Sequence, residues 1–108
     1  MLDDVLQLIG QSYAKDPYGV EKPTNKPPRE VFVQVGSVTR REFFDAGRNG
    51  LNPEFVFTLF HGDYQGESVC AYRGQSYAIY RTYRVPDSDY IELYVERKGG
   101  TNGKENVN

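Results

Sequence analysis

Ser68-Val69-Cys70-Ala71-Tyr72-Arg73-Gly74-Gln75-Ser76-Tyr77-Ala78-Ile79-Tyr80-Arg81-Thr82-Tyr83-Arg84 is the stretch on which the fold turns. It reads as strand, tight turn, strand: two runs rich in tyrosine and small or β-branched residues flank Arg73-Gly74, and glycine supplies the positive φ that a short hairpin requires. A two-residue period predicts Tyr77, Ile79, Arg81, Tyr83 and Val85 on one face and Ser76, Ala78, Tyr80, Thr82 and Arg84 on the other.

The next segment downstream repeats the pattern. Val85-Pro86-Asp87-Ser88-Asp89 is a turn, with the aspartates read as turn-makers that bond nearby amides. Tyr90 to Glu96 then alternates, Ile91, Leu93 and Val95 inward against Tyr90, Glu92, Tyr94 and Glu96 outward. Upstream, Glu54 to Phe60 is apolar on both faces, as in a strand covered on each side, and His61 to Gly66 is a surface turn. Glu30 to Val38 alternates Val31, Val33 and Val35 against Phe32 and Gln34. Between these two strands Thr39-Arg40-Arg41-Glu42 is a capping box, so a short helix is predicted from Arg40, with Glu42 reaching back to the Thr39 amide and Gly50 ending it. About ten residues of weak propensity are marginal alone, so the segment around 40–49 is expected as a short helix or a mobile loop.

Residues 2–14 read as a first strand, with Leu6 and Leu8 on one face, although Leu2 to Leu8 also suits a short helix. Lys15 to Glu30 holds four prolines, which exclude a helix or a central strand, and is expected as a flexible loop or edge excursion. From Lys98 onward the tail is poor in apolar residues, and 99–108 is expected to be disordered. The expectation is therefore one domain over 1–98, a mainly β fold: a small antiparallel β barrel or sandwich of about five to seven strands with one short helix.

Composition narrows the function classes. A chain of 108 residues holds one core and no separate catalytic domain. Thirteen Lys+Arg against fifteen Asp+Glu lack the cationic excess that drives sequence-independent phosphate binding. A single cysteine excludes an intramolecular disulfide, and one histidine beside it makes no zinc set; a reducing compartment is expected. No apolar run approaches the roughly 20 residues that span a bilayer, and Met1-Leu2-Asp3-Asp4 does not resemble the basic start of a signal peptide, so a cytosolic product with no membrane partner is expected.

No catalytic set emerges. His61 stands alone in a turn, Cys70 is read as a buried structural thiol with no base nearby, and no phosphate-binding loop occurs. The expectation is a protein that is not an enzyme and has no catalytic, cofactor or metal residues. What stands out is nine Tyr and six Phe with no Trp. Arg73, Arg81 and Arg84 are interleaved with Tyr72, Tyr77, Tyr80 and Tyr83, which suits a base-stacking platform or, with the near-neutral charge, cross-strand packing and protein contacts.

Taken together in order, Gly66 to Tyr80, Tyr90 to Gly100, Val35 to Gly47 and Asn52 to Phe57 resemble the tailed-bacteriophage head closure family, also called head–tail joining, adaptor or stopper proteins. The similarity covers roughly residues 4–100 and rests on strand and turn patterns. It implies a β barrel with a short helix and a structural virion protein of the connector, assembled in the bacterial cytoplasm. There it forms a homo-oligomeric ring, six- or twelvefold by family resemblance, with the portal or adaptor protein above, a tail completion protein below and packaged DNA in the channel. The resemblance implies that Gly36 to Pro53 faces that channel or a neighbouring subunit, which singles out Thr39, Arg40, Arg41, Phe43, Phe44 and Arg48. Tyr80, Arg84, Tyr90 and Tyr94 are the expected surface contacts. The alternative is a small host module of the oligonucleotide-binding or SH3-like type that binds nucleic acid or protein.

Overall fold

The computed structural model describes residues 2–98; the tail expected to be disordered lies outside the described residues. Six strands close an antiparallel barrel. In chain order β1 is Asp4–Ile9, β2 Gln11–Lys15, β3 Glu21–Asn25, β4 Arg29–Gly36, β5 Pro53–Phe60, β6 Val69–Tyr72, β7 Gln75–Arg84 and β8 Tyr90–Arg97, with helix α1 at Arg40–Gly47. Around the barrel the order is β1-β4-β5-β8-β7-β6, and β6 returns to β1. A mainly β fold, a closed small barrel with one short helix, is what the hairpin and the alternating strands call for.

The inward residues do what the alternation predicts. Leu6 and Leu8, Val31 and Val33, Phe57 and Leu59, and Ile91, Leu93 and Val95 fill one core with Cys70, Tyr72 and Tyr77. Removing this apolar area from water supplies the main driving force. Four rings knot one part of it: Phe57 lies 5.2 Å from Tyr72 and Phe55 lies 5.7 Å from Tyr77, centroid to centroid. The β6–β7 turn uses φ 51° at Arg73 and 79° at Gly74, the two positive values that a hairpin of matching twist needs. β5 is covered on its inner face, whereas Phe60 at its end is exposed, so the strand is not buried on both sides.

Three further expectations need correction. The first strand does not run from 2 to 14: it breaks at Gly10, and the chain leaves the barrel. Gln11–Lys15 pairs with Glu21–Asn25 as a separate two-stranded arm. The proline-rich segment is consequently not a loop throughout, because Glu21–Asn25 within it is the return strand of that arm. Pro23 is tolerated there, since an edge strand does not need every N–H. The arm's turn is built by Asp16, whose Oδ1 accepts from the amides of Tyr18 and Val20, both at 2.9 Å, and by Gly19 at φ 83°. Such Asx geometry mimics a backbone turn and lets the five residues 16–20 reverse the chain.

The third correction concerns β7. Ile79 pairs with Val95 but Arg81 pairs with Tyr94, so Tyr80 is an extra residue, a bulge. A bulge places both of its residues opposite one partner and reverses the phase beyond it. Tyr80 and Arg81 therefore share the outer face with Tyr94. Farther along, Tyr83 opposes outward Glu92, while Arg84 opposes buried Ile91. No helix among the described residues is long and apolar enough to cross a membrane.

Candidate functional site

The capping box is half formed. Thr39 Oγ1 accepts from the Glu42 amide at 3.1 Å, which starts α1 at Arg40, but the Glu42 carboxylate does not turn back to Thr39. It bonds across to β7 instead: Tyr80 Oη donates to Oε2 at 2.8 Å and Arg81 Nη2 to Oε1 at 2.7 Å. The β7 bulge makes this possible, since only with both side chains on one face can they meet one carboxylate. Arg81 also lies over the Tyr94 ring, 3.9 Å from its centroid, and Tyr94 Oη donates to Glu92 at 2.7 Å. Burial opposes charge on Glu42, yet the hydrogen bonds from Arg81 and Tyr80 outweigh it and hold the carboxyl below its ordinary value. Burial and the Glu42 carboxylate push the Tyr80 phenol up, so it remains a donor.

This clamp, with buried Ala46, fastens α1 to the barrel wall. Beyond the clamp the helix faces solvent. Phe43 and Phe44 are 48% and 59% exposed, their rings edge to face at 6.0 Å. Asp45 is shared by Arg48 at 2.7 Å and Arg41 at 3.7 Å, while Arg40 is exposed and has no ion pair among the described residues. The helix ends at Gly47 with Arg48 as its C-cap, three residues before the expected Gly50; Gly50, φ 79°, instead turns the chain after it, where the Leu51 amide bonds back to Ala46 O at 3.0 Å. Of the residues singled out from sequence, Thr39 is thus the cap, and Arg40, Arg41, Phe43, Phe44 and Arg48 form one exposed face.

Tyr80 and Tyr94 are not free contact residues: they belong to the clamp. The ring face of Tyr94 is covered by Arg81, so these tyrosines do not make the open stacking platform that base binding needs. Tyr90 is exposed and stacks on Phe60 at 5.2 Å with a 19° interplanar angle. Arg84 sits with Ile91 and reaches Ser88 O only at 3.4 Å. Sequence reasoning missed Glu42 and Arg81 as a pair, because a bulge has no reliable signature in one sequence. In the 86–89 turn Asp87 supplies the positive φ, 56°, as expected of a turn-maker, but the side-chain bonds come from Ser88, whose hydroxyl donates to Val85 O and accepts from the Tyr90 amide.

For chemistry the described residues offer little. No group of three or more His, Cys, Asp or Glu among them is placed to hold a metal. Cys70 is fully buried, and burial pushes its thiol up to about 12, which leaves almost no thiolate at neutral pH.

One consequence is measurable. Glu42→Ala leaves Tyr80 and Arg81 without their acceptor and costs about 1 kcal/mol, since the pair is partly solvated. The loss falls on α1. Hydrogen exchange is expected to speed up at the 43–48 amides while the barrel strands keep their protection; equal loss in both would show that α1 and the barrel open as one unit.

Compared with known proteins, the chain matches no protein-family model and no curated protein.

Proposed function

We propose that this chain is a structural protein of the tailed-phage connector, a head closure protein that assembles as a ring between the portal or adaptor and the tail and closes the DNA exit channel. The observation that carries this reading is α1. It stands outside a closed barrel, held by the Glu42 clamp and the buried Ala46, and turns two phenylalanines and Arg40, which has no ion pair among the described residues, to solvent in the segment that the family resemblance assigns to the channel or the neighbouring subunit.

The physics suits such a role. A helix of eight residues is too short to hold its shape alone, so it is inexpensive to remodel once a neighbour covers Phe43 and Phe44. Apolar rings exposed on a monomer gain from burial in a ring, and Arg40 then lies free to meet DNA phosphate or a neighbour's carboxylate. Repetition around a ring makes a small contact per subunit sufficient, because each contact adds to the effective concentration of the next.

The test is genetic and structural. Disrupting the reading frame in the phage or prophage that carries it is expected to yield DNA-filled heads that lose DNA and tails that remain unattached. Wild-type protein supplied in trans restores virions, and Phe43→Ala with Phe44→Ala does not. Complete infectious particles without the protein would sink the connector reading; full rescue by the double variant would sink the role given to α1.

A further inference from the structure

Asparagine followed by glycine is prone to a spontaneous reaction, because glycine has no side chain to shield its amide nitrogen from the neighbouring side-chain carbonyl carbon. Among the described residues asparagine occurs at Asn25, Asn49 and Asn52. Asn52 precedes Pro53, which has no N–H to lose, and Asn25 precedes Lys26, whose amide is bonded to Gly10 O at 2.9 Å. Only Asn49 precedes a glycine, and it does so in the turn that follows α1.

The fold both exposes this pair and restrains it. Asn49 and Gly50 face solvent, and nothing lies within 4 Å of where a Cβ on Gly50 would stand, so water reaches both. Yet both reacting groups are engaged. The Gly50 amide donates to Gly47 O at 3.0 Å, and Asn49 Nδ2 donates to Asp45 O at 3.2 Å. The Asn49 main-chain amide donates to Ala46 O at 3.0 Å. All three acceptors are carbonyls of α1, so the restraint lasts only while the helix does. The helix in turn is fastened by the Glu42 clamp and by buried Ala46.

We propose that Asn49–Gly50 is a deamidation site that docked α1 guards and released α1 uncovers. In the released segment the Gly50 nitrogen gives its proton to hydroxide and attacks Asn49 Cγ. The N–Cγ bond forms, the Cγ–Nδ2 bond breaks, and Nδ2 leaves as ammonia, taking its third hydrogen from water. Water then opens the cyclic imide at one of its two carbonyls, which yields aspartate or isoaspartate at position 49; no oxidant or reductant takes part. Either product opposes redocking. A carboxylate at position 49 stands four residues after Asp45, a repulsive spacing on a helix, and lies at the negative end of the helix dipole. Isoaspartate also lengthens the main chain by one carbon, which upsets the spacing on which the Gly50 and Leu51 amide bonds back to α1 depend. The modification makes release of α1 one-way. It goes beyond the connector reading and does not depend on it.

The test uses the whole chain, incubated in mildly alkaline buffer and sampled over days, with the tryptic peptide that begins at Asn49 followed by mass. Conversion of amide to acid, with isoaspartate among the products, is expected at Asn49, about tenfold or more slowly than in the same chain unfolded in urea. Where opening and closing are fast, the rate follows the population of the open form. Glu42→Ala therefore raises it about fivefold, and Tyr80→Phe, which removes one of the two clamp bonds, raises it less. In Asn49→Asp, hydrogen exchange at the 43–48 amides is expected to be faster than in the wild type, with the barrel strands still protected. Native and unfolded chains reacting at one rate would overturn the guarding role, as would Glu42→Ala reacting at the wild-type rate. No reaction at Asn49 in urea would overturn the site itself, and unchanged α1 exchange in Asn49→Asp would overturn the one-way release. None of these outcomes bears on the gene disruption, which alone decides the connector reading.

Discussion

Phe57→Ala is expected to lower the unfolding free energy by about 3–5 kcal/mol, the largest loss for any single truncation in this barrel. Phe57 is fully buried on β5, and its ring is packed by Phe55, Tyr72 and Tyr77 at 5.7, 5.2 and 6.4 Å. The three neighbours come from β5, β6 and β7, so truncation opens a cavity that no single side chain can swing in to fill. Tyr72 and Tyr77 are poorly suited to collapse inward, because each would carry a phenol into the space. Small domains have a total stability of about 5–15 kcal/mol, and the thermal midpoint should fall by roughly 15–30 °C. Chemical denaturation checks the magnitude. Phe57→Leu, which retains most of the volume, is expected to recover more than half of the loss; equal effects would show that ring packing is not what stabilises this end of the barrel.

Arg29→Ala should produce the second largest effect, about 2–4 kcal/mol. Glu67 is buried, its side chain 6% exposed, and Arg29 Nη2 meets its Oε2 at 2.6 Å. The other carboxylate oxygen accepts from the Gln65 amide at 2.8 Å, Arg29 also donates to Asp63 O at 2.9 Å, and Tyr64 Oη donates to Glu67 O at 2.6 Å. These bonds fasten the 3-10 turn His61–Asp63 and the chain beyond it to the first residue of β4. Removing the cation leaves a desolvated carboxylate without its counter-ion, held by the Gln65 amide, which costs more than the pair itself contributes; the partial exposure of Arg29 keeps the loss below that of a fully enclosed pair.

The same group sets a pH dependence. Burial opposes ionisation of Glu67, but the Arg29 and Gln65 hydrogen bonds outweigh it, and its pKa lies below the ordinary 4.5. A carboxyl depressed by folding contributes stability that is present above 4.5 and lost as pH falls through the lower, folded value. Urea midpoints measured downward from pH 6 should therefore decline below that point. Glu67→Gln removes part of the decline, and the remainder belongs to Glu42 and the other carboxylates. An unchanged acid limb in Glu67→Gln would show that this pair carries no net stability.

Much of the architecture was legible because it rests on short-range rules. The inward sets of β1, β4 and β8 follow from a two-residue period. The Arg73-Gly74 reversal follows from the freedom of glycine, and the start of α1 from one Thr39 hydroxyl within reach of an amide three residues on. The arm was only half legible: prolines in 15–30 excluded a helix or a central strand and left a flexible loop or an edge excursion, and residue order alone does not say that Gln11–Lys15 is its partner, which lets an edge strand form without the donor that proline lacks. The candidate site was legible as a segment and not as a set of contacts.

What residue order alone determined, then, is a small antiparallel barrel or sandwich, most of its inward residues and the place of its one helix, since these depend on neighbours two to four positions apart; closure into a barrel depends on β1 meeting β6, about sixty residues away. Tertiary structure decided which partner Glu42 takes, which face Arg81 and Tyr83 share, and that Val5 lies opposite Phe32 and Phe60 opposite Tyr90. Each of these depends on register between strands distant in sequence, where one bulged residue at Tyr80 reverses every side chain that follows.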